Sequence, residues 1–379
     1  MKRIYLDHAA TSPMHPEVAE KMFSMMKESY GNPSSIHSFG REARRILDEA
    51  RRSLAKTINA KPAEIIFTSG GTEADNLAII GTALANRHLG KHIITTDIEH
   101  HAVLHACKYL EKIGYHITYL PVDKSGMISL EDLTNNLTDQ TVLVSIMYGN
   151  NEVGVIQPIR EIGHILKKHQ AFFHTDAVQA YGIEHIDITD LSVDLLSVSS
   201  HKINGPKGVG FLYAKAGLKL QPSQYGGEQE LKRRAGTENV PGIFGFQLAA
   251  NLSLATQKQK SENYNAFKQE MISIFQEHQL MFEVNSPNDG LPHVFNVYFP
   301  KTNIESLLVN LDLAGIAASS GSACTAGSID PSHVLVSMYG KDSERILSSI
   351  RFSFGLGTTK EDIQYAAHEI SKVIKKVTA

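Results

Sequence analysis

The stretch that decides the fold is residues 64–96, which read EIIFTSGGTEADNLAIIGTALANRHLGKHIITT. It opens with a short run rich in isoleucine, phenylalanine and threonine, and apolar residues at helical spacing follow over residues 72–86. A second β-rich run covers residues 92–96. A strand, a helix and another strand in this order are typical of a βαβ unit with parallel strands.

The same alternation continues towards the C-terminus. β-rich runs cover residues 141–146, 171–174 and 195–198, and helical spacing recurs over residues 159–169. This pattern predicts an α/β fold, in which helices cover both faces of a large and mainly parallel sheet.

The pattern changes at about residue 242, where a long helical stretch begins that runs to Gln276. Short strands and helices follow, and an apolar stripe marks a last helix over residues 363–377. A chain of 379 residues exceeds the usual domain length of about 100–200 residues. We therefore expect a large domain over residues 14–255 and a smaller α+β domain formed by residues 1–13 and 256–379.

Composition narrows the classes of function. A net charge of −3 gives no overall basic field, which disfavours a direct nucleic-acid partner. No apolar run approaches the length of about 20 residues that spans a membrane, and no signal peptide is visible. The two cysteines, Cys107 and Cys324, cannot form a disulfide framework or a four-cysteine metal site. We expect a cytoplasmic protein without a metal.

Polar residues follow the predicted strands directly. They occupy residues 69–73, 97–101, 149–152, 174–179 and 199–202. In open α/β sheets ligands bind beyond the carboxyl ends of the strands, so these hydroxyl, amide, carboxylate, imidazole and amine groups are expected to face one crevice.

The first of these segments, Ser69-Gly70-Gly71-Thr72, has two interpretations. It is either an ordinary strand-to-helix turn with Thr72 as the N-cap, or a phosphate cradle in which glycine lets the backbone approach an anion at a helix N-terminus. The glycine spacings of dinucleotide-binding and nucleoside-triphosphate loops are absent from this segment.

Lys202 and Asp176 differ from ordinary surface charges in their position. Lys202 lies between an apolar strand and a tight turn, where desolvation would lower its pKa and free the amine to attack a carbonyl, as a Schiff-base lysine requires. Asp176 follows another apolar strand, where it either caps a helix or holds a pyridinium nitrogen protonated.

Short motifs along the chain resemble those of cysteine desulfurases, in the same order. They are YLDHAAT at 5–11, GNPSS at 31–35, TSGGTE at 68–73, HTDAVQ at 174–179, SSHK at 199–202 and SSGSAC at 319–324. These enzymes are fold-type I pyridoxal-phosphate enzymes of the class-V aminotransferase family. The resemblance covers residues 4 to about 358 and implies pyridoxal 5'-phosphate as the cofactor.

The resemblance also implies a role for each matched position. Lys202 would attach the cofactor and act as the base, His100 would stack on its ring and assist proton transfer, Asp176 would pair with the pyridine nitrogen and Gln179 with the ring hydroxyl. The remaining implied cofactor contacts are Gly71, Thr72, Asn151, Ser199, His201 and, from the second subunit of a homodimer, Thr237. The implied contacts to the L-cysteine substrate are Asn32, Asn151 and Arg351.

Cys324 is the implied carrier of the sulfur, as a persulfide. The residues around it, from Ser319 to Ser328, are almost all small, so they offer little bulk to bury a thiol. Such a loop is expected to be exposed and to let Cys324 reach the cofactor site, as in the long-loop group of the family. Cys107 lies in a helical segment, and we expect it to be a small buried hydrophobic residue.

The resemblance predicts conversion of L-cysteine to L-alanine, with the persulfide passed to an iron–sulfur scaffold or a tRNA-thiolating enzyme. Housekeeping members of the family often carry an extended C-terminal segment, whereas this chain ends at Ala379, soon after its last predicted helix. The resemblance therefore favours the specialised role in tRNA thiolation. One alternative is a selenocysteine lyase or another aminotransferase-like enzyme that uses Lys202 and Asp176 without a persulfide. The other is a noncatalytic scaffold for iron–sulfur assembly.

Overall fold

The computed structural model describes residues 2–320, 324–325, 328–329 and 331–378, the two short pairs by their backbone alone. The described helices are α1 Pro16–Glu28, α2 Ser38–Lys56, α3 Gly71–Ala85, α4 His101–Lys112, α5 Leu130–Asn136, α6 Ile159–Leu166, α7 Ile188–Leu191, α8 Val240–Ala255, α9 Gln257–Glu277, α10 Ile304–Leu313, α11 His333–Tyr339, α12 Arg345–Ser348 and α13 Lys360–Thr378. Short 3-10 turns cover Pro62–Glu64 and Ser200–Lys202, and an irregular turn with left-handed residues covers Gln229–Lys232.

The strands are β1 Ile4–Tyr5, β2 Ile65–Thr68, β3 His92–Thr96, β4 His116–Leu120, β5 Thr141–Ser145, β6 Phe172–Asp176, β7 Leu195–Ser199, β8 Gly210–Ala214, β9 Glu283–Val284, β10 Val294–Tyr298, β11 Ile316–Ala317, β12 Cys324–Thr325, β13 Ser328–Ile329 and β14 Ser349–Ser353. Seven of them form one sheet in the order β2-β8-β7-β6-β5-β3-β4. Strands β3 to β7 run parallel, whereas β8 is antiparallel to both of its neighbours. The predicted α/β fold with a mainly parallel sheet is confirmed.

The helical stretch predicted from residue 242 to Gln276 is two helices, because Thr256 leaves the helical conformation at φ −112° and ψ 8°. The break lets the two halves bury apolar residues in different places. Helix α8 packs against α1 and α2, whereas α9 packs against α13.

Apolar side chains form two clusters, one on each face of the large sheet. A separate cluster joins α9, α10 and α13 to β10 and β14, and it includes Ile4 and Leu6 from the N-terminal segment. These separate cores support the proposed domains, 14–255 and 1–13 with 256–379, which remain a proposal. Within the described ranges, no helix is long and apolar enough to cross a membrane.

Candidate active site

A cavity of about 320 Å³ lies at the carboxyl ends of β2, β3, β5, β6 and β7, and the N-terminal segment and β14 close it. Most of the site residues predicted from the sequence line it together. These residues are Gly71, Thr72, His100, Asn151, Asp176, Gln179, Ser199, His201, Lys202 and Arg351. The polar residues that directly follow the strands in the sequence thus meet in a single cavity, as expected.

One end of the cavity is the start of α3. The N-cap is Gly70, with φ 149°, and no side chain in the described part of the chain caps the helix there. Thr72 is therefore not the N-cap that the ordinary interpretation of this turn required. An uncapped helix N-terminus offers backbone N–H groups and a positive dipole end to an anion, so this end of the cavity fits a phosphate group.

Gly71 cannot be replaced by a larger residue without movement in this cradle. A Cβ atom added at Gly71 would lie 2.8 Å from Cγ2 of Val178, which also lines the cavity. Ser199 and His201 line the cavity as well. His201 Nδ1 lies 3.1 Å from the Thr11 hydroxyl, and burial lowers the pKa of His201 to about 4, so its imidazole is neutral near pH 7.

Lys202 ends the 3-10 turn that follows β7. Its ammonium group donates hydrogen bonds to the carbonyl of Ala9 and, at 2.8 Å, to that of Ala10. Burial and the charge of Arg351 lower the pKa of Lys202 to about 7, although Asp176 favours the charged form. A substantial fraction of this amine is therefore neutral, and able to act as a nucleophile, at neutral pH.

Asp176 ends β6, and one of its carboxylate oxygens accepts a hydrogen bond from the backbone N–H of Val178 at 2.9 Å. Burial raises the pKa of Asp176 to about 6, against the opposing effects of this N–H and of Lys202. The carboxyl group lines the cavity and suits the protonated nitrogen of a pyridine ring.

Asp75 is a second carboxyl group in the same cavity, and it was not identified from the sequence. It is fully buried and lies one turn of α3 after Gly71, which is the signal that helical spacing could have given. Burial and the nearby Asp176 raise its pKa well above the ordinary value. One carboxylate oxygen lies 3.7 Å from His174 Nε2, whose own pKa burial lowers to about 3.

His100 is the N-cap of α4, and its Nδ1 accepts a hydrogen bond from Ala102 N at 3.1 Å. The accepting role leaves any proton of the neutral ring on Nε2. Burial, and next the charge of Lys202, lower the pKa of His100 to about 4. A neutral imidazole at this position fits a group that stacks on an aromatic ring and exchanges protons.

The side chain of Gln179 is fixed from two sides. Its amide nitrogen donates to Ala9 O at 2.9 Å, and its carbonyl oxygen lies 3.1 Å from His293 Nε2. His293 was not identified from the sequence. It is buried, and burial lowers its pKa to about 3, so it holds the amide as a neutral donor.

Arg351 lies on β14, and its side chain is 4% exposed. One guanidinium nitrogen bonds Asp7 at 2.7 Å and another donates to the backbone carbonyl of Asn151 at 3.0 Å. The third nitrogen, Nε, is buried and has no partner among the described residues. The guanidinium is thus held in place while it keeps donor capacity for a carboxylate. Asp7 was not identified from the sequence as a site residue.

Three predicted site residues lie outside this lining. Asn32 is exposed, and its side-chain oxygen accepts from Ser34 N at 2.9 Å. Thr237 is also exposed, in the segment that follows the Gln229–Lys232 turn. The backbone of Cys324 pairs with that of Ile329, and the side chain of Cys324 lies outside the described residues. The roles of these residues remain predictions.

Cys107, by contrast, is fully buried within α4, as expected of a small hydrophobic residue. Burial raises the pKa of its thiol. Because the thiolate is the reactive form of cysteine, this thiol is unreactive at neutral pH.

Known proteins resemble this chain along its whole length. The family model for aminotransferase class-V matches residues 4–366. A protein of Bacillus subtilis (strain 168), provisionally named the cysteine desulfurase IscS 1, is 59% identical over 100% of both chains. The cysteine desulfurase IscS of Dictyoglomus turgidum (strain DSM 6724 / Z-1310) is 48% identical over 100% of this chain and 96% of its own.

Solved structures of similar proteins share the fold of this chain. A NifS-like protein superimposes with a TM-score of 0.92 at 35% identity, over 99% of this chain and 100% of that one. SspA, solved in complex with cysteine, gives a TM-score of 0.81 at 35% identity, over 93% and 99% of the two chains. The chain therefore belongs to the class-V aminotransferase family, among the cysteine desulfurases, and is a fold-type I enzyme that depends on pyridoxal phosphate.

Proposed function

We propose that this enzyme removes sulfur from L-cysteine, releases L-alanine and keeps the sulfur as a persulfide on Cys324. The observation that carries the proposal is the position of Lys202, whose pKa is lowered to about 7, in one cavity with Asp176 and Arg351. An amine, a buried carboxyl group and a guanidinium are the groups that a pyridoxal-phosphate enzyme needs for its cofactor and an amino-acid substrate.

Residues at one end of the cavity would bind the phosphate of the cofactor, and residues at the other end would bind its ring. Gly71, Thr72, Ser199 and His201 would hold its phosphate at the start of α3. Asp176 would bind the ring nitrogen, while Gln179 would donate from the amide group that His293 and Ala9 orient. His100 would lie against the ring. Bound pyridoxal phosphate withdraws electrons from the substrate carbon that loses its proton.

Lys202 and Arg351 would act on the substrate. Arg351 lines the cavity and would pair its guanidinium with the carboxylate of L-cysteine, with Asn151 beside it. Lys202 would hold the cofactor and, once released from it, accept the proton of the substrate α-carbon as a neutral amine. The lowered pKa suits this role, because a base works best when its pKa is close to the working pH.

Sulfur transfer would involve the segment that starts at Ser319. Ser319 lines the cavity, and its backbone exchanges two hydrogen bonds with that of Arg351, at 2.7 and 3.2 Å. The segment leading to Cys324 thus starts beside the proposed substrate site. The Cys324 thiolate would form an S–S bond as the substrate C–S bond breaks. The electron pair of that bond would stay on the carbon side, which takes up protons to give alanine.

We further propose a homodimer in which Thr237 completes the phosphate site of the partner. Large apolar side chains support it, because they remain exposed on one protomer. Ile36 is 91% exposed, and the stacked rings of Tyr30 and Phe39 lie 5.5 Å apart. Substituting Ile36→Asp should yield monomers in light scattering, whereas Leu313→Asp on α10 should leave dimers. Monomers in the unchanged protein would contradict the proposal.

The acceptor of the sulfur would be an iron–sulfur scaffold or a tRNA-thiolating enzyme. A persulfide carrier must return to the thiol between turnovers, which a reducing cytoplasm permits. With added thiol, incubation with L-cysteine should produce equal amounts of alanine and of sulfur transferred to the thiol. Without added thiol, mass spectrometry should find one added sulfur on the protein. Alanine without protein-bound sulfur would contradict the proposed persulfide. Cross-linking of the persulfidated protein in lysate should identify the acceptor.

A further inference from the structure

The segment 229–237, named here the threonine loop, follows an unusual backbone path. Glu230, Leu231 and Lys232 all lie in the left-handed region, with φ of 49°, 56° and 66°. Residues with a side chain rarely adopt this conformation, and three in succession persist only where the surroundings determine them. Leu231 is 70% exposed, so the core of its own protomer does not provide that support.

An ion pair between Glu230 and Arg51 of α2 supports the left-handed conformation of this loop. The two carboxylate oxygens of Glu230 bind two guanidinium nitrogens of Arg51, at 2.6 and 2.7 Å. One of these oxygens also accepts from Phe67 N on the edge strand β2 at 3.0 Å. The Glu230 side chain is almost completely buried, and a paired, planar contact of this kind fixes orientation as well as position. We call this contact the Arg51–Glu230 clamp.

A second ion pair holds the loop after the left-handed turn. Arg234 Nε bonds Glu73 at 2.8 Å, and another guanidinium nitrogen bonds the same carboxylate at 3.2 Å. Glu73 also accepts from Ser69 N at 2.7 Å, in the turn that forms the phosphate cradle. Thr237 follows this second anchor and is exposed. Both anchors are therefore in the body of the protomer, whereas the threonine lies outside the cavity lining.

We propose that the Arg51–Glu230 clamp is a positioning device that acts across the dimer. It holds the threonine loop in its left-handed shape and so delivers Thr237 to the phosphate site of the partner subunit. The inference rests on the proposed homodimer and on the proposed role of Thr237. It assigns to Arg51 and Glu230 an effect on the cofactor of the other subunit, although neither lines the cavity of its own subunit.

Hybrid dimers with two affinity tags test the direction of this effect. One subunit carries Lys202→Ala, so that visible absorbance reports cofactor attachment to the intact subunit alone. Glu230→Gln is placed either in the Lys202→Ala subunit or in the intact one, and absorbance is titrated with pyridoxal phosphate. We expect the apparent Kd of the intact site to rise about tenfold or more in the first arrangement, the size of effect that loss of a phosphate hydrogen bond gives. In the second arrangement the Kd should not change.

Thr237→Ala in the Lys202→Ala subunit distinguishes the two ways in which the experiment can fail. If Thr237→Ala leaves the Kd unchanged, the proposed role of Thr237 in the partner site is wrong. If Thr237→Ala weakens binding and Glu230→Gln does not, the clamp proposal alone is overturned. An equal loss in both arrangements of Glu230→Gln would also overturn it, because a merely structural role affects the subunit that carries the change.

A second variant tests whether Glu230→Gln acts only by destabilising the fold. Glu230→Gln leaves the charge of Arg51 without its partner, so the combination Arg51→Met with Glu230→Gln removes both charges. Circular dichroism and light scattering should show a folded dimer, and the combination should weaken only the partner site. Asp190→Asn is the matched control, because the ion pair of Asp190 with Arg160 is on the surface, and it should leave the Kd unchanged in both arrangements.

Discussion

At the scale of single residues, the chemistry of this site depends on how burial changes protonation. Burial lowers the pKa of Lys202 to about 7 and raises that of Asp176 to about 6, so the two values approach each other. Each group can therefore change its charge close to neutral pH. At neutral pH an exposed lysine and an exposed aspartate would carry fixed opposite charges, because their pKa values are about 10.4 and about 3.9.

Attachment of the cofactor should follow the titration of Lys202. Only the neutral amine attacks a carbonyl, so below about pH 7 the attachment rate of the apoprotein should rise about tenfold per pH unit and then level off. Stopped-flow absorbance between pH 5 and 10 measures it, and Lys202→Ala should show no attachment. A rate that keeps rising to about pH 10 would show that this lysine has the ordinary pKa.

Arg351 should be sensitive to a change that keeps its charge. Its guanidinium bonds Asp7 and the carbonyl of Asn151 at the same time, and a lysine ammonium cannot reproduce this planar arrangement. Arg351→Lys should raise KM for L-cysteine about tenfold or more, with cofactor absorbance unchanged. Arg345→Lys, in a partly exposed pair with Glu283, is the control and should leave KM unchanged. An unchanged KM in Arg351→Lys would rule out this role.

Asp7 and His293 were missed for the same physical reason, whereas Asp75 could have been found from helical spacing. Asp7 and Arg351 meet through a contact between segments 344 residues apart, and His293 reaches Gln179 from the turn before β10. Local pattern cannot show such contacts. Residues directly after strands were identified because parallel strands bring their carboxyl ends to one edge of the sheet. This prediction needs no information about long-range contacts.

At the scale of elements, the proposed phosphate site depends on how α3 begins. Thr72 lines the cavity on the first turn of this helix, whereas Thr82 lies on the same helix with a buried hydroxyl that has no partner among the described residues. The sequence predicted the helix itself well. It left the N-cap undecided, because a capping threonine and a phosphate-binding threonine look alike in sequence.

The substitution Thr72→Val should show whether the Thr72 hydroxyl binds the phosphate of the cofactor. It keeps the shape of the side chain and should raise the Kd for pyridoxal phosphate about tenfold, because a hydrogen bond to a charged group is lost. Thr82→Val removes a hydroxyl without a partner and should leave the Kd unchanged, with equal or higher thermal stability. Equal cofactor affinity in Thr72→Val and the unchanged protein, measured by equilibrium dialysis, would exclude a phosphate contact of this hydroxyl.

The break at Thr256 shows the limit of periodicity at this scale. Apolar residues continue at helical spacing on both sides of it, so the pattern predicts one stretch. The two helices separate because α8 contributes to the core around the large sheet and α9 to the core around β10 and β14. Which core a helix joins is decided by tertiary packing, which the spacing does not contain.

At the scale of the whole molecule, the cavity brings together segments that are distant in sequence. The strand ends of the large sheet supply Lys202 and Asp176, β14 supplies Arg351, and Ser319 begins the segment that carries Cys324. The proposed roles in cofactor binding and in sulfur transfer therefore fall on different parts of the chain. A change in the second should leave the first intact, and this separation makes the sulfur carrier identifiable by experiment.

The substitution Cys324→Ser should leave cofactor absorbance and L-cysteine binding unchanged, since the proposed cofactor contacts lie around the strand ends of the large sheet. Alanine formation should fall by about two orders of magnitude or more, because a hydroxyl is a far weaker nucleophile than a thiolate. Protein-bound persulfide should disappear.

The matched control is Cys107→Ser, which places a hydroxyl where a buried thiol packs within α4. It should cost roughly 1 kcal/mol of folding stability and leave turnover and persulfide nearly unchanged. The two variants are compared by mass spectrometry after exposure to L-cysteine. Burial raises the pKa of the Cys107 thiol, so its thiolate is scarce at neutral pH and it cannot substitute for Cys324. Persulfide on Cys107 in the Cys324→Ser variant, with undiminished alanine formation, would show that Cys107 and not Cys324 carries the sulfur.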